Sequence, residues 1–150
     1  MKIELNEQKA QPILSIRVKT SLENLPKIIG ESYHKIMDYL NELGEQPADV
    51  PFTAYHNLDM QNMEVEMGFP VSKPLPGKDD ILASELAQGK IVSYMYKGLY
   101  SEMEPVYNEI FKWINEKGYQ PTGVYYEYYY NSPDEVPESE LLTRIVIPLK

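Results

Sequence analysis

An α+β fold is predicted, built from one β-α-β-β unit used twice, with two helices on antiparallel sheet and a cleft between the pseudo-symmetric halves. Three observations predict it. A period-two segment is followed by a helical stripe and then by two more alternating segments, and after a Pro/Gly-rich stretch the same order begins again. Adding 74 to a residue number maps Tyr33 to Tyr107, Ile36 to Ile110, Asn41 to Asn115, Glu42 to Glu116 and Gly44 to Gly118. The same offset maps Gln46 to Gln120, Pro47 to Pro121, Val50 to Val124, Tyr55 to Tyr129 and Asn57 to Asn131. So dense a run of identities at one offset marks a duplication.

In the first copy, Leu14, Ile16 and Val18 alternate within residues 13–19, the pattern of a strand with one buried face. Leu22, Leu25, Ile29, Tyr33, Ile36, Leu40 and Leu43 then recur at steps of three and four, which predicts a helix over about 22–43. Gly44 stands where a left-handed cap residue belongs, and Pro47 cannot continue the helix. Strands are expected at Phe52–Leu58 and Met63–Val71, the second alternating Met63, Val65, Met67 and Phe69 with Glu64 and Glu66. The first repeat thus spans about 10–72, and the Pro/Gly-rich segment within about 73–88 reads as a linker.

The second repeat, about 89–150, opens with a strand at Lys90–Lys97 that places Val92, Tyr94 and Tyr96 on one face. Ser101 and Glu104 stand at capping-box spacing, so the second helix is expected to begin at Ser101 and to end at Gly118. Strands Val124–Tyr130 and Leu141–Leu149 complete the copy. Beyond the second hairpin the offset becomes 78, so the extra residues fall in the turn 131–139. The whole chain, 1–150, reads as one duplicated domain.

Composition removes several function classes. With 43% hydrophobic and 25% charged residues the 150-residue chain can bury a core. A formal charge of −9, without a clustered basic patch, disfavours contact with nucleic-acid phosphates. There is no cysteine, hence no disulfide, thiolate metal site or cysteine nucleophile. No apolar run is long enough to span a membrane and no secretory stretch opens the chain, so no membrane partner and a cytoplasmic location are expected. No phosphate loop, nucleophile elbow or metal-ligand set is found around His34 or His56, so neither a cofactor nor a metal is expected.

The unusual feature is aromatic: the chain holds 13 tyrosines, and Tyr125, Tyr126, Tyr128, Tyr129 and Tyr130 cluster in one strand. Glu127 stands in the middle of that strand, where a carboxylate is a poor strand former. Alternation puts it on one face with Tyr125 and Tyr129, and its counterpart in the first copy is Thr53. An acid among aromatic rings can receive a cation by ion pairing and cation–π attraction together. A solvated acid on an edge strand fits the same pattern. Tyr94, Tyr96, Tyr125 and Tyr129 are candidates to line an apolar cavity, although sheet packing accounts for each tyrosine singly. Trp113 matches Tyr39 in the first helix and is expected to pack, bordering the groove.

The stretches Tyr96-Lys97-Gly98-Leu99-Tyr100, Tyr107 to Trp113, Glu127-Tyr128-Tyr129-Tyr130-Asn131-Ser132-Pro133 and Leu142-Thr143-Arg144-Ile145-Val146-Ile147-Pro148-Leu149 together resemble the GyrI-like small-molecule-binding domain. That domain is the effector-binding module of multidrug-responsive AraC-type and MerR-type transcription activators, and the resemblance covers nearly the whole chain. It implies binding of lipophilic, cationic or aromatic small molecules in the central cleft, with Glu127 as the acidic ligand residue and Tyr129 as its aromatic neighbour. Tyr94 and Tyr96 lie on the strand that contributes cleft aromatics in that family. With no room for a DNA-reading helix-turn-helix before residue 10, a stand-alone member is expected. Two alternatives come with the resemblance. One is a hydrolase of electrophilic cyclopropane-type toxins that uses Glu127 and a cleft tyrosine. The other is a protein-interaction module whose partner is a DNA-binding subunit or DNA gyrase.

Overall fold

The structure is a computed structural model that describes residues 2–57, 59 and 61–150. The elements run β1 Glu4–Gln8, β2 Gln11–Thr20, α1 Leu25–Leu43, β3 Phe52–Tyr55, β4 Met63–Pro70, β5 Leu82–Leu86, β6 Gly89–Lys97, α2 Glu104–Glu116, β7 Tyr125–Tyr129 and β8 Leu142–Pro148. All eight strands join one antiparallel, strongly curled sheet in the order β1-β6-β8-β7-β3-β4-β2-β5. Two helices on such a sheet make the fold α+β, as the periodicity predicts.

The duplication appears as a pseudo-dyad through the sheet centre. In the β3–β7 pair, Thr53 lies opposite Glu127 and Tyr55 opposite Tyr125, while the amide of Tyr129 donates to the carbonyl of Pro51. Exchanging the copies at offset 74 maps this pairing onto itself, so the axis passes between Thr53 and Glu127. The outer strands show the same symmetry. β1 pairs with β6 of the second copy and β5 pairs with β2 of the first, with Gln8 opposite Gly89 and Leu86 opposite Gln11. Each copy thus lends its leading strand to the other.

This exchange corrects one sequence expectation and adds an element. Residues 82–86, inside the stretch read as a linker, form β5, and residues 4–8, to which the sequence pattern assigns no element, form β1. Both strands are short and mostly exposed, so their pairing comes from a partner strand far along the chain and not from local pattern. The helix starts are corrected as well. Pro26 and Pro105 each stand in a first turn, and the helices begin at Leu25 and Glu104. The expected capping box does not form: Ser101 lies in the 3-10 turn Tyr100–Glu102, and Met103 precedes α2 without a side-chain cap. Strand β3 ends at Tyr55, and Leu58, the expected end, lies outside the described residues. The Gly44 cap is left-handed at φ 70°, as its position after the apolar stripe predicts.

Packing then decides where space is left. Ile36, Tyr39 and Leu40 of α1 pack on Leu14, Ile16 and Phe69 of β2 and β4. Ile110 and Ile114 of α2 pack on Val92, Tyr96, Ile145 and Ile147 of β6 and β8. The central pair β3–β7 therefore lies in the gap between the helices. On the other face the curl gathers Ile13, Phe52, Ala54, Ile91, Tyr128 and Val146 into a further core with no helix. Gly68 makes that core possible. A Cβ there would meet the Leu14 carbonyl oxygen at 2.6 Å and Phe52 Cζ at 2.9 Å.

Candidate functional site

Over the central strands lies a cavity of about 1110 Å³, large enough for a drug-sized molecule. Leu25, Pro26, Ile29 and Tyr33 of α1 form one wall, and Met103, Tyr107 and Phe111 at the start and along one face of α2 form the other. Tyr55, Tyr125, Glu127 and Tyr129 rise from the sheet, and residues 130–135 of the inserted turn close one side. Because alternate residues of β7 point to opposite faces, Tyr125, Glu127 and Tyr129 enter the cavity together while Tyr126 and Tyr128 point away.

Glu127 is the polar centre of this space. Its Oε2 accepts a hydrogen bond from Tyr107 Oη at 2.5 Å, and its Oε1 accepts one from Tyr129 Oη at 2.9 Å. The first-copy counterpart of this arrangement is Tyr33 Oη beside Thr53 Oγ1 at 2.9 Å. The dyad therefore presents two tyrosine-capped positions, and only one of them carries charge. Burial pushes the Glu127 carboxyl above its ordinary range, and the two tyrosine donors pull it partly back. Burial, followed by the charge of Glu127, raises the hydroxyls of Tyr107 and Tyr129 far enough to keep both as protonated donors. No lysine, arginine or histidine stands among the described residues lining the cavity, and Glu127 enters none of the described ion pairs.

The structure brings Glu127, Tyr125 and Tyr129 together in the cavity. It places Tyr94, Tyr96 and Trp113 elsewhere. Tyr94 and Tyr96 lie on β6 beneath α2, and Tyr96 Oη donates to the Leu99 carbonyl at 2.6 Å. Trp113 packs at the margin of the same core with Lys117 Nζ 5.7 Å from its ring centroid. The correction has a simple reason. Strand alternation tells which face a tyrosine occupies, but not whether a helix already covers that strand. Sequence reading missed Tyr33, Tyr55 and Tyr107 as wall residues. The signal was present: Tyr33 with Tyr107, and Tyr55 with Tyr129, are identities between the copies.

His56 is bound to a different task. Its Nε2 lies 2.9 Å from Glu66 Oε1, and Glu66 also accepts from Ser15 Oγ at 2.5 Å, on the sheet face away from the cavity. Among the described residues there is no cluster of three or more His, Cys, Asp or Glu able to hold a metal. No helix among them is long and apolar enough to cross a membrane.

Compared with known families, residues 1–150 match the GyrI-like small molecule binding domain. The chain belongs to this family. No curated protein matches it. Among solved structures it is similar to EcmrR in an EcmrR–DNA complex, at 21% identity and TM-score 0.85, covering 99% of this chain and 57% of that one. It therefore spans little more than half of the EcmrR chain. It is also similar to a hydrolase from Listeria innocua, at 15% identity and TM-score 0.71, covering 99% of this chain and 92% of that one. SAV2435 bound to tetraphenylphosphonium is similar at 12% identity and TM-score 0.71, covering 100% of this chain and 94% of that one. At these identities the likeness establishes a shared fold.

Proposed function

We propose that this GyrI-like domain binds a lipophilic, aromatic, singly charged cation in its central cavity and serves to sense or sequester it. The supporting observation is Glu127: a buried carboxylate held by two tyrosine hydroxyls in a largely apolar cavity, with no basic side chain among the described lining residues. An ionised acid withdrawn from water is costly unless something pairs with it, and a cationic ligand removes that cost. The aromatic walls add cation–π attraction and apolar burial. The Thr53 side of the dyad offers a hydroxyl where Glu127 offers charge, which favours one cationic centre over two. The likeness to a phosphonium-bound relative agrees with this ligand class.

Calorimetric titration with tetraphenylphosphonium and with neutral triphenylphosphine oxide, on wild type and Glu127→Gln, tests the reading. The substitution keeps the shape and one acceptor but removes the charge. Loss of one close ion pair in a partly buried site is expected to weaken the cation by about 10- to 100-fold, with the neutral compound changed less than about threefold. Equal losses for both compounds would overturn the counter-ion role. Steady multiple turnover of an electrophilic substrate, abolished by Glu127→Gln, would favour the hydrolase reading instead.

A further inference from the structure

A second pocket, of about 240 Å³, opens on the opposite face of the sheet, where Lys9, Asp49, Tyr128 and Arg144 meet Gln8 and Gln11. Arg144 reaches it by strand alternation. Its neighbours Thr143 and Ile145 are buried on the helix side, so Arg144 points the other way, paired in register with Tyr128. The two arginines of the chain differ in their surroundings. Arg17 Nη2 contacts Glu64 at 2.5 Å, whereas Arg144 enters none of the ion pairs among the described residues.

The duplication shows how this came about. At offset 78 the counterpart of Arg144 is Glu66, which is satisfied from within by His56 and Ser15. In the second copy the positions of those two partners hold Tyr130 and Ser93, and the position of the acid holds an arginine. One copy therefore closes a charge network on itself, while the other leaves a guanidinium facing a polar recess. Tyr128 enters none of the described side-chain hydrogen bonds, although its ring is buried. Lys9 adds a second cation. Asp49 is the one acid in the lining, and its Oδ1 already accepts the amide of Val50 at 2.7 Å.

We propose that this pocket is a binding site for a small oxyanion, a phosphate or carboxylate group, gripped by the Arg144 guanidinium and Lys9 with the Tyr128 hydroxyl as a further donor. A guanidinium fork matches two oxygens of such a group, and the volume is several times the roughly 30 Å³ that a water molecule occupies in the liquid. Two cations against one carboxylate give the recess a local positive balance on a chain of net charge −9. The site is separate from the cavity: Glu127 and Tyr128 are consecutive residues on opposite faces of β7.

The test is a titration of the full chain with inorganic phosphate, and in parallel with acetate, at constant ionic strength set by chloride, followed by backbone amide NMR shifts. Saturable shifts are expected around residues 8–11, Tyr128 and Arg144, with half-saturation on the order of millimolar. Arg144→Gln is expected to weaken binding at least about tenfold, and the exposed Lys9→Gln severalfold, while Glu127→Gln leaves it unchanged. Saturation by phosphate alone or by both anions upholds the site and fixes its selectivity. Linear shifts that do not saturate, shifts spread over surface lysines, or the same affinity in both Lys9→Gln and a folded Arg144→Gln would overturn it.

Discussion

Thr143→Val is predicted to stabilise the protein. Thr143 is fully buried on the helix-facing side of β8, and its Oγ1 has no hydrogen-bond partner among the described residues. It lies opposite Tyr96 on one side and Tyr129 on the other. The related position of the first copy, at offset 78, is Val65, also fully buried, between Val18 and Tyr55. The fold therefore already accepts valine in this environment. An unpaired buried hydroxyl costs about 1–3 kcal/mol. Valine has nearly the same shape and the same β-branched strand preference, so packing and backbone terms should largely cancel. A net gain of about 1–2 kcal/mol follows, which raises the Tm by roughly 3–6 °C in a chain of this size. Thermal and urea unfolding would measure it, with the urea midpoint rising and the m-value unchanged. The reciprocal Val65→Thr should lose about 1–3 kcal/mol. A Tm for Thr143→Val at or below that of wild type would refute the reasoning, because it would mean the hydroxyl is satisfied in solution.

Cation binding in the cavity should weaken as pH falls through the Glu127 range, by about tenfold per pH unit once the carboxyl is largely protonated. Because burial raises this carboxyl, the decline begins above the 4.5 of an unperturbed glutamate, and calorimetry across that range should find Glu127→Gln flat. Stability of the ligand-free protein runs the other way. A group with a raised folded value contributes most below its unfolded value and loses that contribution as pH rises through the folded one. Wild type should therefore lose stability relative to Glu127→Gln as this carboxyl ionises, and parallel unfolding curves would contradict that. Gly68→Ala should cost more than about 2 kcal/mol in urea unfolding, since the new methyl meets the Leu14 carbonyl and the Phe52 ring; a loss under about 0.5 kcal/mol would show that the sheet yields easily there.

Much of this molecule is written locally. The 3.6-residue stripes of α1 and α2, the alternation of β2, β4, β6 and β7, and the Gly44 cap depend on neighbours a few residues away, so periodicity exposes them. The same alternation puts Tyr125, Glu127 and Tyr129 on one face, and the identities between copies announce the dyad. Local pattern does not choose strand partners. Short, mostly exposed strands such as Glu4–Gln8 and Leu82–Leu86 carry little β signal, and they exist because each completes the other copy's sheet edge. Nor does it say which strands a helix will cover. Tyr94 and Tyr96 share the face of Glu127, yet α2 lies over them, while Tyr33 and Tyr107 reach the cavity from the helices above. The sequence alone determined the two helices, the strands β2, β3, β4, β6, β7 and β8, their faces and their duplication. The tertiary structure decided that the gap falls over β3 and β7, because each helix buries its apolar stripe on the outer strands of its own copy and leaves the central pair, with its one buried acid, open to a ligand.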